Sequence, residues 1–147
     1  MSKLRILFLC TGNSCRSQMA EGWARALKGE ELDVASAGIV RHGMNPRAVQ
    51  AMAEAGVDIS GQTSKTIDDL PGLDFDWIIT LCGHANESCP TVFGPARKLH
   101  MGFDDPPALA AEIARDAPTE EAAMAPYRRV RDEIRAFVEG LPDSLES

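Results

Sequence analysis

The stretch LRILFLCTGNSCRSQMAEGWARAL, Leu4 to Leu27, decides the fold. Its apolar run, Ile6 to Cys10, reads as a strand buried on both faces. A short polar loop follows. From about Arg16, Met19, Ala20, Trp23, Ala24 and Leu27 recur at helical spacing, and Gly29 ends the pattern. A buried strand that turns tightly into an amphipathic helix is the opening unit of a parallel α/β sheet.

The rest of the chain extends that unit. LDVASAG, Leu32 to Gly38, reads as a second strand. Asn45 and Pro46 supply an N-cap and a first-turn proline for a helix that Gly56 closes. FDWIITLC, Phe75 to Cys82, is a third strand, and RKLHM, Arg97 to Met101, a fourth. Tyr127, Val130, Ile134, Phe137, Val138 and Leu141 form one apolar stripe of a long last helix. Thr119 is placed to cap it, and Pro126 is expected to start or kink it. The alternation predicts an α/β fold, a four-stranded parallel sheet with helices on both faces, in a single domain over 1–147. Such sheets bind ligands outside the carboxyl ends of their strands, where strand order switches. Cys10 ends the first strand, Cys82 ends the third, and GFDDPP follows the fourth, so all three are expected to open onto one crevice.

Composition narrows the chemistry. The chain has 147 residues, 44% of them hydrophobic, enough for one core and too few for two. A net charge of −7 argues against a nucleic-acid groove or an anionic membrane surface, so an anion site must be built locally. Apolar runs fall short of the roughly 18 residues a membrane span needs. Lys3, Arg5 and ILFLC resemble a secretion signal, but the run is about half a normal apolar region and no cleavage site follows. A cytoplasmic protein is expected. There, the four cysteines (Cys10, Cys15, Cys82, Cys89) point to catalysis, redox chemistry or metal binding rather than a static disulfide framework.

CTGNSCRS has the form Cys-x5-Arg-Ser. Gly12 and Asn13 tolerate left-handed backbone, so the loop can curl with its N–H groups inward as an anion nest. The following helix adds the positive end of its dipole, and Arg16 offers a planar fork to a tetrahedral oxyanion. The same groups are expected to lower the pKa of Cys10, with Ser17 donating a hydrogen bond to its sulfur.

Cys-x5-Arg-Ser between a strand and a helix resembles the catalytic loop of low-molecular-weight protein tyrosine phosphatases. It resembles still more closely the thioredoxin-coupled arsenate reductases built on that fold. Ser36-Ala37-Gly38, DISGQTS from Asp58 to Ser64, and TLC at Thr80 to Cys82 extend the similarity over nearly the whole chain. It implies that Thr11, Gly12, Asn13, Ser14, Cys15, Arg16 and Ser17 bind the oxyanion. It implies catalysis by Cys10, Cys82, Cys89, Arg16 and Asp105, with no cofactor and no metal. The implied partners are arsenate and thioredoxin; no nucleic acid or membrane is expected, and the chain is expected to be a monomer.

Cys82 and Cys89 lie seven positions apart. Their α-carbons would be about 10 Å apart on a helix and about 23 Å apart on a strand. A disulfide needs roughly 4.4–6.8 Å. Residues 82–93 are therefore expected to fold back on oxidation, with Gly83 flexible and Pro90 and Gly94 limiting helical continuation. A zinc site from Cys82, Cys89, His84 and His100 is the alternative, although the spacing is poor. The resemblance implies instead a relay in which Cys10 attacks arsenate, Cys82 attacks Cys10, and Cys89 carries the disulfide to the surface for thioredoxin. Cys15 reads as a small packing residue, or as a protective partner of Cys10. His42, His84 and His100 read as surface or hydrogen-bonded residues.

In GFDDPP the two prolines, Pro106 and Pro107, are expected to fix the loop. Asp105 directly precedes them and matches the family's proton donor to the leaving oxygen, while Asp104 reads as a loop-orienting or solvated neighbour. Some of the family's reductases bind potassium behind the loop through an acidic residue just after the QTS. Here that position is Lys65; Asn13, Glu21, Ser36 and Thr63 resemble the other ligands. No potassium dependence is expected. A phosphotyrosine phosphatase is the second reading, weakened by Pro107 where an aromatic residue is expected. A zinc-stabilised or redox-sensing binding protein is the third.

Overall fold

The computed structural model describes residues 3–72, 74–83 and 96–145. β1 (Leu4–Cys10), α1 (Arg16–Lys28), β2 (Leu32–Gly38) and α2 (Pro46–Glu54) come first. β3 (Trp77–Thr80), β4 (Arg97–His100), α3 (Pro106–Asp116) and α4 (Glu120–Glu139) follow, with 3₁₀ turns at Ile67–Asp69 and Asp143–Leu145. The strands form one all-parallel sheet, as the alternation predicts, and their order is β2-β1-β3-β4.

Strand β1 is central because it can afford no exposed face: Ile6, Leu7, Phe8 and Leu9 are all fully buried. Alternate side chains serve two cores. Ile6 and Phe8 pack with Met19, Trp23, Met52, Tyr127, Val130 and Ile134 from the helices. Leu7 and Leu9 pack with Ile78 and Phe75, against which Ile67 and Leu70 of the first 3₁₀ turn close. Each such side chain contributes about 1.5–3 kcal/mol of burial.

Local signals set the helix ends. Asn45 caps α2, its Oδ1 accepting from the amides of Arg47 (2.9 Å) and Ala48 (3.3 Å). Thr119 caps α4 through the amide of Ala122 (3.2 Å).

Three expectations are corrected. Pro106 and Pro107 do not merely stiffen a loop; they form the first turn of α3, where a missing N–H costs no helical hydrogen bond. Pro126 lies buried inside α4 rather than starting it. Its lost hydrogen bond is offset by the burial of Ala123, Met124, Tyr127 and Val130 around it. Cys82 lies two residues beyond the end of β3. Leu81 prolongs the pairing there, its amide donating to Leu9 O (2.9 Å).

The order of strands places the site. The connection through α1 runs from β1 to β2 on one side, and that through α2 crosses to β3 on the other. The carboxyl ends of β1 and β3 therefore flank the switch point. Cys10 and Cys82 both stand there.

Candidate active site

A cavity of about 270 Å³ opens at this switch point, lined by Cys10, Thr11, Gly12, Ser14, Cys15, Arg16, His42, Asp105 and Pro107. Residues from three separate stretches of the chain meet in it.

The loop after β1 is held from outside. The carbonyls of Thr11, Gly12 and Ser14 accept from the amides of Ile39 (2.9 Å), His42 (3.0 Å) and Asn45 (3.0 Å). The amides of Gly12, Asn13, Ser14 and Cys15 donate to no other described residue. Unpaired donors gathered around one concavity make an anion nest. The backbone differs from expectation in one respect: Asn13 alone is left-handed, at φ 49, and Gly12 is not. Glycine at position 12 has another cause, because an added β-carbon would lie 2.2 Å from His42 Nδ1. Gly38 is needed for a similar reason, since a β-carbon there would meet the Asn13 amide at 2.7 Å.

Arg16 brings the positive charge. Its Nη1 donates to Phe103 O (2.8 Å), its Nη2 stands 3.5 Å from Asp105 Oδ1, and its Nε is buried with no partner among the described residues. A buried orphan donor on a guanidinium is a place for an oxyanion. Asp105 sits at the N-cap of α3, yet its side chain caps nothing and turns toward Arg16. Asp104 instead pairs with Arg129 (2.9 Å) on α4, which ties down the loop.

The thiols are arranged in a way the sequence did not reveal. Cys10, Cys15 and Cys82 are all buried. Cys10 and Cys82 pack in one buried cluster, and Thr11 Oγ1 lies 3.0 Å from Cys82 Sγ. The Cys10 thiol is pushed up rather than down, first by the neighbouring Cys82 thiol and then by burial; Arg16 and the Thr11 amide pull the other way and lose. The expectation of a depressed pKa is corrected: with Cys82 beside it, Cys10 is held in its thiol form. Burial also raises Cys15 to about 12. Ser17 does not bond Cys10 sulfur; its hydroxyl accepts from Asn13 Nδ2 (2.9 Å).

Behind the loop is a polar cluster. Asn13 Nδ2 also donates to Ser36 (2.9 Å), which donates to Glu21, while Asn13 Oδ1 accepts from Gln18 (2.9 Å) and the Lys65 amide (2.8 Å). Glu21, 2% exposed, faces Arg25 at 2.9 Å and Lys65 Nζ at 3.6 Å. Lys65 Nζ also donates to Thr63 O (3.1 Å). Each oxygen that would face a potassium ion is already engaged by a proton donor or a fixed cation. The cluster does not fit a potassium ion, and Lys65 does not simply face water.

Residues 5–147 match the family described as low molecular weight phosphotyrosine protein phosphatase. The chain is 54% identical to an arsenate reductase of Halalkalibacterium halodurans over 91% of each protein. It is also 54% identical to an arsenate reductase of Bacillus subtilis over 88% of each. A solved arsenate reductase in its phosphate-binding state superposes with a TM-score of 0.77 at 32% identity, over 97% of this chain and 99% of that one. The chain belongs to the low-molecular-weight phosphatase family, among its arsenate reductases.

Against that family background, the structure brings Cys10, Thr11, Gly12, Ser14, Cys15, Arg16 and Asp105 to one cavity, with Cys82 against Cys10 and Thr11. Asn13 and Ser17 stand behind it, fully buried. Cys89, His84, Pro90 and Gly94, and with them most of the expected 82–93 switch, lie outside the described residues. His100, the described histidine of the zinc alternative, bonds Thr80 through Nδ1 (2.9 Å). Sequence reasoning missed His42 on the cavity wall. HGMNP carried one usable signal, a helix N-cap that must dock close to the catalytic loop.

Proposed function

We propose that the protein is a thioredoxin-dependent arsenate reductase working through a three-cysteine relay in the cytoplasm. The observation that carries this is the packing of Cys82 against Cys10, which itself lines the anion cavity together with Arg16. Hydrolysis needs one nucleophile; two thiols in contact are the requirement of a reduction.

Arsenate enters the nest, its oxygens held by loop amides and Arg16. Once the sulfurs part, Cys10 is no longer held up by Cys82, and Arg16 stabilises its thiolate. Cys10 attacks arsenic and forms a sulfur–arsenic bond; Asp105 protonates the displaced oxygen, which leaves as water. Cys82, with Thr11 on its sulfur, then attacks Cys10 Sγ. The electron pair of the sulfur–arsenic bond stays on arsenic, arsenite departs, and a Cys10–Cys82 disulfide remains. Cys89 attacks Cys82, restores Cys10, and presents the new disulfide to thioredoxin.

A weaker phosphatase activity at the same site is favoured by one observation, the fit of the nest to any tetrahedral oxyanion. No Phe, Tyr or Trp lines the cavity among the described residues, and Pro107 stands beside Asp105. An aromatic phosphoester would find no stacking partner there.

The test follows NADPH oxidation through thioredoxin reductase and thioredoxin with arsenate. Wild type consumes NADPH in proportion to the arsenite made, and Cys10→Ser, Cys82→Ser and Cys89→Ser each stop turnover. Sustained turnover by Cys82→Ser would sink the relay, and no arsenate-dependent oxidation by wild type would sink the reductase.

A further inference from the structure

We propose that His42 is a further substrate-binding residue. Its imidazole forms part of the wall of the oxyanion cavity and donates a hydrogen bond to a bound arsenate oxygen, and Gly12 lacks a side chain so that the ring can stand there. The proposal rests on reading the cavity as the arsenate site.

Three observations carry it. His42 lines the same cavity as Cys10, Arg16 and Asp105, although it lies well away from all three in sequence. Its position is fixed by backbone, through its amide to Gly12 O (3.0 Å), so the ring rides on the catalytic loop itself. The ring packs where a Gly12 side chain would be: an added β-carbon would lie 2.2 Å from Nδ1, 2.6 Å from Cγ and 2.9 Å from Cβ. Gly12 has no left-handed backbone to require glycine. The close approach of this one ring is what excludes alanine.

The side chain has no competing duty. Among the described residues the imidazole makes no hydrogen bond or ion pair. Its neighbour Arg41 is by contrast engaged by Asp69 (2.5 Å). The charged groups on the cavity wall are Arg16 and Asp105, and they already pair with each other at 3.5 Å. Arg16 and the loop amides serve the inner face of a tetrahedral ion. Either tautomer of a neutral imidazole keeps one N–H, and the protonated ring has two, so His42 remains a donor across the working pH range. Because the ring is exposed and competes with water, its contribution is smaller than that of the buried Arg16.

A donor that binds ground state and transition state alike raises KM when removed and leaves kcat nearly unchanged. The variants are His42→Ala, which removes the ring, His42→Gln, which keeps an N–H donor, and His42→Phe, which keeps a wall without a donor. The readouts are KM and kcat for arsenate, and the dissociation constant of inorganic phosphate by calorimetry. His42→Ala and His42→Phe are expected to weaken both constants about tenfold with kcat within twofold, and His42→Gln to recover most of the loss. Gly12→Ala should weaken phosphate comparably, and adding it to His42→Ala should cost little more, because the ring it displaces is already gone. Unchanged phosphate affinity in His42→Ala, or full recovery by His42→Phe, would overturn the proposal. Wild type that neither binds phosphate nor reduces arsenate would instead remove the site reading on which it rests.

Discussion

At the scale of single residues, two sulfur environments set the chemistry. Thr11 is counted in the anion loop, yet its hydroxyl lies against Cys82 Sγ at 3.0 Å. A hydrogen bond to a charged sulfur is worth about 1.5 kcal/mol or more, roughly tenfold in rate. Thr11→Val is therefore expected to cut arsenate turnover about tenfold while phosphate affinity stays within twofold; unchanged turnover would contradict that role. Cys15 makes a pH prediction. Its pKa is raised to about 12 by burial, so the native state keeps its proton above pH 9, where the unfolded chain loses it. Stability from this group is full below pH 9 and falls as pH rises toward 12, by about 1.4 kcal/mol per unit. Urea unfolding at pH 8 and pH 10.5 should show a smaller alkaline loss in Cys15→Ala than in wild type. An equal loss in both would place the titration elsewhere.

At the scale of elements, α2 is joined to the site by one residue. Asn45 caps the helix, donates its amide to Ser14 O in the catalytic loop, and donates Nδ2 to the buried Tyr127 hydroxyl (3.0 Å) on α4. Losing the cap costs about 1 kcal/mol, and stranding the phenol costs about as much again. Asn45→Ala should lower unfolding stability by about 2 kcal/mol in urea, and Tyr127→Phe by about half that. Elements were the part of the fold most legible in the sequence. The caps at Asn45 and Thr119, the helical spacing after Arg16 and the apolar run of β1 are local signals, and local backbone physics honoured them. Pro126 was misread because proline is a local veto, whereas the burial that carries α4 through it comes from α1 and α2. The prolines after Asp105 were read as loop stiffeners because first-turn prolines and turn prolines look alike in sequence.

At the scale of the whole molecule, strand order converts distant residues into neighbours. Cys10 and Cys82 meet because β1 and β3 are adjacent at the switch point; strand alternation anticipated the shared crevice but not the strand order. What it would do to the thiols was not. The Cys10 pKa depends on a partner seventy-two residues away, and no reading of the loop by itself supplies that sign. Ser17 was likewise assigned to Cys10 by proximity in sequence, while Asn13, held in place by Ser36 and Lys65, claims it. The same cluster makes a prediction for the assembled enzyme. With Lys65 and Arg25 on Glu21, kcat/KM for arsenate and thermal stability should be equal in potassium and sodium chloride at matched ionic strength. A clear gain from potassium would contradict that arrangement.

The central claim is that two thiols at the switch point reduce arsenate, and one turnover tests it most directly. Reduced Cys89→Ser protein is mixed with excess arsenate without thioredoxin, arsenite is counted, and the cysteines are mapped by mass spectrometry. One arsenite per chain together with a Cys10–Cys82 disulfide is the predicted result. No arsenite, with both thiols still free, would contradict it.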